Sequence, residues 1–166
     1  MSSDEPFGDV LAANEAYTRE FRQAGLKGHA ARNLAVLTCI DSRIEPLTML
    51  GLVPGDAKIL RNAGARVTPD VLRSLVLATN LLGVERVMVI AHTDCAMVRG
   101  SEDDVHAAIA EAGGPDTGDL TFLVATDQEA TVRNDVEVLR TSPLLPEVHI
   151  GGFRYDVATG RLEQIV

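Results

Sequence analysis

Cys39, His92 and Cys95 are the residues of this chain best suited to binding a metal ion. The chain has only two cysteines and four histidines. His92 and Cys95 are spaced so that a single turn directs an imidazole and a thiolate at one ion. Thiolate and imidazole ligands favour zinc, and three protein ligands leave one position open, as in catalytic zinc sites. A disulfide between the cysteines is the alternative, which a reducing compartment disfavours.

A carboxylate and a guanidinium closely follow the first cysteine, at Asp41 and Arg43. Asp41 either binds zinc as a fourth ligand or pairs with Arg43 and accepts a hydrogen bond from water on the metal. Two thiolates cancel the charge of zinc, so this water should ionise less readily than at three imidazoles, where its pKa is about 7. The second arrangement is the one that suits an enzyme, and we expect its activity to be shifted to alkaline pH.

The elements that must position these residues are indicated by apolar periodicity and by capping signals. Strands are predicted at 34–38, 58–61 and 86–91, with a strand and hairpin over 148–157 and 161–166. Helices are predicted at 9–24, 46–50 and 69–82, with another starting from a capping box at 126–129. The predicted fold is therefore α/β, with a mainly parallel central sheet flanked by helices. Ligands of such sheets gather beyond the carboxyl ends of the strands, where both halves of the candidate site lie.

The turn that contains the second cysteine predicts a helix start. Cys95 would begin this helix, whose free backbone amides favour a thiolate over a thiol. Asp94 is interpreted as the cap of the same helix.

Length and charge restrict the class of protein and of partner. The chain of 166 residues fits one domain, 1–166. Its net charge of -9 argues against nucleic acid and anionic membranes as partners, which leaves a small-molecule substrate. The amino terminus lacks the features of a secretory signal, and no apolar run is long enough to span a membrane. We therefore expect a cytoplasmic location.

The two metal motifs together resemble those of β-class carbonic anhydrases, in particular the compact bacterial and archaeal branch. C-x-D-x-R lies at 39–43 and H-x-x-C at 92–95, and the segments 61–64 and 152–157 are also similar to that family. The resemblance spans 34–157. It implies reversible hydration of carbon dioxide to bicarbonate and a proton by zinc-bound hydroxide.

The resemblance also implies roles for individual residues. One zinc per subunit would be held by Cys39, His92 and Cys95, with Asp41 and Arg43 as the catalytic dyad. Asp41 would be a fourth ligand only in a closed, inactive state. Members of the family are homodimers or larger homo-oligomers, so the 9–24 helix is expected to pack on a partner subunit. The neighbours expected at the carbon dioxide pocket are Gly64, Ala65 and Met97.

Two other functions fit the same residues. Relatives on this fold hydrolyse carbon disulfide or carbonyl sulfide, and the ligand set does not distinguish these substrates from carbon dioxide. A non-catalytic zinc-binding interaction domain would use Asp41 as a permanent fourth ligand. Arg43 argues against that alternative, because a structural zinc site needs no cation beside its carboxylate.

Overall fold

The computed structural model describes residues 6–166. Residues 1–5, on which the prediction about a secretory signal partly depends, lie outside this range. The α-helices are α1 (Gly8–Glu20), α2 (Pro46–Met49), α3 (Pro69–Leu81), α4 (Glu102–Glu111) and α5 (Gln128–Arg140). The strands are β1 (Leu34–Cys39), β2 (Ala57–Asn62), β3 (Arg86–His92), β4 (His149–Tyr155) and β5 (Leu162–Gln164).

The strands form one sheet in the order β2-β1-β3-β4-β5. The first four are parallel, and β5 pairs antiparallel with β4 as the predicted carboxy-terminal hairpin. The α/β prediction is therefore confirmed. From β1 the chain passes to β2 on one side and later returns to β3 on the other, so β1 and β3 flank the switch point of the sheet. Such a switch point opens a crevice beyond the carboxyl ends of the strands.

The main core lies between one sheet face and the helices α3 and α5. Leu37 and Val89 of the sheet are completely buried there, as are Leu75 of α3 and Val136 of α5. Gly152 permits the close packing of β4 against α5, because a Cβ atom at this position would lie 2.5 Å from Cγ1 of Val132. A larger side chain would push the helix away from the sheet.

The opposite sheet face has a smaller core, formed by Leu34, Val36 and Ile90. Met49 of α2 and Leu52 in the segment after it pack against this core. The long helices α3 and α5 therefore pack on the face with the main core, and α2 with the segment after it covers the smaller core.

Two helix starts illustrate what local sequence predicts well and what it predicts less well. Thr68 caps α3 by accepting a hydrogen bond from the Val71 amide, with Pro69 as the first helical residue, as predicted. The capping box predicted at 126–129 is wrong in detail, since Asp127 is the cap and accepts from the Ala130 amide at 3.0 Å. Aspartate at this position caps the helix without a reciprocal bond.

The leading helix α1 ends at Glu20, earlier than the predicted 24, because the backbone becomes extended at Phe21. None of its residues is buried. Among the described residues, no helix combines the length and apolar character that crossing a bilayer would require.

Candidate metal centre

The three predicted ligands meet at the carboxyl ends of β1 and β3. Cys39 is the last residue of β1 and His92 the last of β3, and these strands are adjacent in the sheet. Cys95 reaches the same point from the turn that follows β3. One ligand atom from each residue lies within 4.8 Å of the others, and all three side chains are buried. This spacing allows the two sulfur atoms and one nitrogen to converge on a single ion.

The imidazole of His92 is oriented for ligation through Nε2. Its Nδ1 lies 2.8 Å from the carbonyl oxygen of Thr93, so Nδ1–H donates there and leaves Nε2 as the ligand atom. Gln128, the first residue of α5, donates to the carbonyl oxygen of His92 at 2.9 Å and fixes the end of the strand. Within the described chain Nε2 has no hydrogen-bond partner although it is buried. A buried nitrogen without a partner destabilises the fold, and a metal ion bound to Nε2 would remove this cost.

The protonation of the two cysteines also fits a cation. A hydrogen bond from Cys95 lowers the pKa of Cys39 far below its usual value, and the same bond raises the pKa of Cys95. Burial opposes the charging of His92, but the adjacent Cys39 thiolate raises the pKa of the imidazole. Two adjacent thiolates would repel each other, so Cys95 keeps its proton beside the Cys39 thiolate. A divalent cation bound to both sulfur atoms would allow both to be thiolates. Both cysteines are free thiols, so the alternative of a disulfide is not the state found.

Asp41 and Arg43 form a bidentate ion pair beside the three ligand residues. Arg43 Nε and Nη2 donate to Asp41 Oδ1 and Oδ2 at 2.9 and 2.7 Å, and the Arg43 amide also donates to Oδ1. These bonds hold the pKa of Asp41 well below its usual range and raise that of Arg43. Asp41 Oδ2 lies 3.9 Å from His92 Nε2. The carboxylate is thus ionised, fixed by Arg43 and close to the ligand atoms without entering their set.

Arg61 and Gly64 hold the loop that follows β1. Arg61 donates to the carbonyl oxygens of Cys39 and Asp41 at 2.9 and 2.7 Å. The Gly64 amide donates to Sγ of Cys39 at 3.4 Å. These bonds stabilise negative charge on the sulfur and fix the backbone that carries the carboxylate.

The three predicted pocket residues lie together near the cysteines. Gly64 and Ala65 belong to a short 3-10 turn, Ala63–Ala65, and both have positive φ angles, 77° and 58°. Met97 packs beside Cys39 and Cys95, and a Cβ atom on Gly64 would lie 3.2 Å from Met97 Cβ. Glycine is therefore favoured at position 64 both by its conformation and by this contact.

The predicted helix at Cys95 is wrong. Only a 3-10 turn, Ala96–Val98, follows this cysteine, and α4 begins later, at Glu102. Asp94 makes no cap; its carboxylate instead binds the guanidinium groups of Arg43 and Arg99.

Sequence reasoning also missed a buried ion pair behind the site. Arg66 Nε donates to Asp135 Oδ2 at 2.8 Å, and the Val67 amide donates to the same oxygen at 3.1 Å. The signal was the position of Asp135 on α5, where it shares a face with Val132 and Val136. A carboxylate within a buried apolar stripe indicates a partner on another element.

Comparison with known proteins agrees with this geometry. The family model described as carbonic anhydrase matches residues 34–162. The chain is 33% identical to beta-carbonic anhydrase 1 of Mycobacterium tuberculosis over 160 residues, 95% of this chain and 96% of that protein. It is 35% identical to the carbon disulfide hydrolase of Saccharolobus solfataricus over 157 residues, 80% and 77% of the two chains.

A solved structure extends the agreement to the fold. The crystal structure of carbonic anhydrase from Streptococcus mutans superposes with a TM-score of 0.92 and 39% identity, covering 99% of this chain and 100% of that one. Family, sequence and fold therefore agree, and the chain belongs to the β-carbonic anhydrase family.

Proposed function

We propose that the protein catalyses the reversible hydration of carbon dioxide to bicarbonate and a proton, with one zinc ion per subunit. The observation that carries this proposal is the ionised Asp41 carboxylate, held by Arg43 at 3.9 Å from Nε2 of His92, which has no hydrogen-bond partner among residues 6–166. Cys39, His92 and Cys95 would hold the metal. When bound, zinc supplies Lewis acidity that makes water easier to ionise and so a better nucleophile.

The chain's own residues orient the reaction. Asp41 has no proton to donate, so it acts as a hydrogen-bond acceptor that turns a lone pair of the attacking water toward the substrate. Arg43 keeps this carboxylate ionised and restrains it from joining the ligand set, which would give the closed state. Gly64, Ala65 and Met97 are proposed to line the substrate side, because all three lie near the cysteines.

Stopped-flow measurement of carbon dioxide hydration, on protein of known zinc content across pH 6 to 9, tests the proposal. We expect zinc-dependent turnover that rises toward alkaline pH, because two thiolates reduce the effective charge of zinc. Zinc-loaded protein without turnover at alkaline pH would refute the proposal. A rate already at its plateau below neutral pH would refute the electrostatic argument alone.

Hydrolysis of carbon disulfide is the second candidate, since the chain is 33–35% identical to two carbon disulfide hydrolases. Carbonyl sulfide belongs to the same alternative. Assaying the same zinc-loaded protein for release of hydrogen sulfide from each compound separates these activities from carbon dioxide hydration. A non-catalytic zinc domain remains the third candidate, against which the bidentate pair of Asp41 with Arg43 argues.

We further propose that the chain is a single domain, 1–166, and that it works as a homodimer or larger homo-oligomer in the cytoplasm. Helix α1 buries none of its residues and exposes Val10, Leu11 and Tyr17. The sheet has a cavity of about 720 Å³ lined by apolar residues and by the polar side chains of Arg86, Arg140, His149 and Gln164. The apolar and acidic side chains of α1 are complementary to this surface on a second copy. Two free cysteines suit a reducing compartment.

Light scattering on the full chain tests the assembly. We expect a dimer or larger species, and a shift toward monomer in Leu11→Glu. Arg19→Glu, a charge change on the same helix, is the control. A monomer at micromolar concentration would contradict the assembly proposal.

A further inference from the structure

Asp94 lies between two ligand residues of the candidate metal centre, in the turn after β3. Its φ angle is 56°, in the left-handed region that aspartate and asparagine tolerate better than most residues. Its side chain is about half exposed, at 51%. Asp94 is neither a metal ligand nor a helix cap, since its carboxylate contacts two arginines.

Asp94 contacts Arg43 at two points. Arg43 Nη1 donates to the Asp94 carboxylate at 2.8 Å, and Nη2 donates to the Asp94 carbonyl oxygen at 3.1 Å. The guanidinium therefore lies between two residues, with Nε and Nη2 on Asp41 and with Nη1 and Nη2 on Asp94. Because the guanidinium group is planar and rigid, the hydrogen bonds to Asp94 on one edge also fix the orientation of the edge that faces Asp41.

We propose that Asp94 is a positioning residue that holds Arg43 against Asp41. The inference rests on the proposed function, in which Asp41 orients the reacting water. The Arg43 side chain is 44% exposed and adjoins an open cavity of about 610 Å³ that is also lined by Asp94 and Arg99. Water competes for the guanidinium there, so one ion pair alone would leave it free to exchange. The second anchor joins the loop after β1 to the loop after β3.

Arg99 completes this arrangement. It pairs with the other carboxylate oxygen of Asp94. Without Arg99, the Asp94 carboxylate would compete with Asp41 for the guanidinium of Arg43. The order Arg99, Asp94, Arg43, Asp41 alternates in sign and is neutral as a set. Arg99 therefore allows Asp94 to anchor Arg43 without weakening the pair that the reaction uses.

The test compares two substitutions of Asp94 in the zinc-loaded protein. Asp94→Asn keeps the backbone conformation and an oxygen acceptor but removes the charge, whereas Asp94→Gly keeps the conformation and removes the side chain. We expect kcat/KM for carbon dioxide to fall about threefold and about tenfold, as for the loss of a partly exposed charge-assisted hydrogen bond. Asp103→Asn, an equal charge change on α4, should leave the rate within twofold.

Two readouts separate positioning from a structural effect on the ligand turn. The rate of zinc release to a chelator should stay within twofold, and Asp94→Gly should cause no further loss of rate in an Arg43→Gln background. Loss of zinc in parallel with rate, or additive losses in the double variant, would overturn the proposal.

A third readout is independent of catalysis. In ¹⁵N NMR the Arg43 Nε–H signal should exchange with solvent about tenfold faster in Asp94→Gly than in the parent protein. Unchanged exchange would overturn the proposal. If the parent protein has no carbon dioxide hydration activity, the proposed function fails, and this exchange measurement still decides whether Asp94 anchors Arg43.

Discussion

Oδ2 of Asp41 lies 3.9 Å from Nε2 of His92. The same oxygen accepts a hydrogen bond from Arg43 at 2.7 Å. Asp41 would have to break this bond before its carboxylate could bind the metal. The role of Asp41 can therefore be tested separately from metal binding.

Asp41→Ala should retain zinc and lose turnover. The three ligand residues are unchanged, whereas the acceptor that orients the reacting water is removed. We expect kcat/KM to fall at least about a hundredfold, within the range for loss of a positioned acid or base. Zinc content and stopped-flow rates measure the two effects, with Asp103→Ala on α4 as a control. Loss of zinc from Asp41→Ala would indicate a permanent fourth ligand and favour the structural alternative.

Gly64→Ala should destabilise the protein more than Gly51→Ala. Alanine would have to adopt the φ of 77°, and its Cβ would lie 3.2 Å from Met97 Cβ, which disturbs the hydrogen bond that the residue 64 amide donates to Cys39 Sγ. Gly51→Ala is the matched control, because Gly51 also has a positive φ, but no atom of the described residues lies within 4 Å of the new Cβ. Urea unfolding should show a cost of about 1 kcal/mol for the control and more for Gly64→Ala. Equal costs would mean that the contact with Met97 relaxes freely.

The ion pair of Arg66 with Asp135 should be among the most sensitive polar contacts. Their side chains are 15% and 5% exposed. Asp135→Ala leaves a guanidinium with little access to water, and we expect a loss of about 3–5 kcal/mol in unfolding free energy. The double variant Arg66→Met with Asp135→Leu should recover much of it. Arg133→Gln, which breaks an exposed pair with Glu129 on the same helix, should cost at most about 0.5 kcal/mol.

Acid should destabilise the protein partly through Glu102. Hydrogen bonds from the Phe122 and Val124 amides lower the pKa of this carboxyl from its ordinary value of 4.5. A lowered folded-state pKa means that the stabilisation is complete above pH 4.5 and is lost as pH falls toward the folded value. Glu102→Gln should therefore reduce stability at pH 7 and flatten its decline below pH 5. Urea unfolding from pH 3 to 7 measures this, and an equally steep decline in Glu102→Gln and in the parent protein would contradict it.

Local pattern was sufficient to predict most elements and the ligand set. The apolar runs stop at Cys39 and His92, and Thr68 with Pro69 indicates the start of α3, because each signal lies within a few residues. The contacts of Asp94 with Arg43 and of Arg66 with Asp135 join residues 51 and 69 positions apart. Such pairs depend on strand register and helix packing, which short-range periodicity does not determine.

The separation of the ligands along the chain gives the metal a mechanical role as well. An ion bound by Cys39 and Cys95 would cross-link the ends of two adjacent strands and close a loop of about 55 residues. In the chain-entropy account of disulfides, a loop of that size is worth about 4 kcal/mol. The centre would then act as a reversible staple, and a chelator would loosen this sheet much as a reductant loosens a disulfide-linked domain.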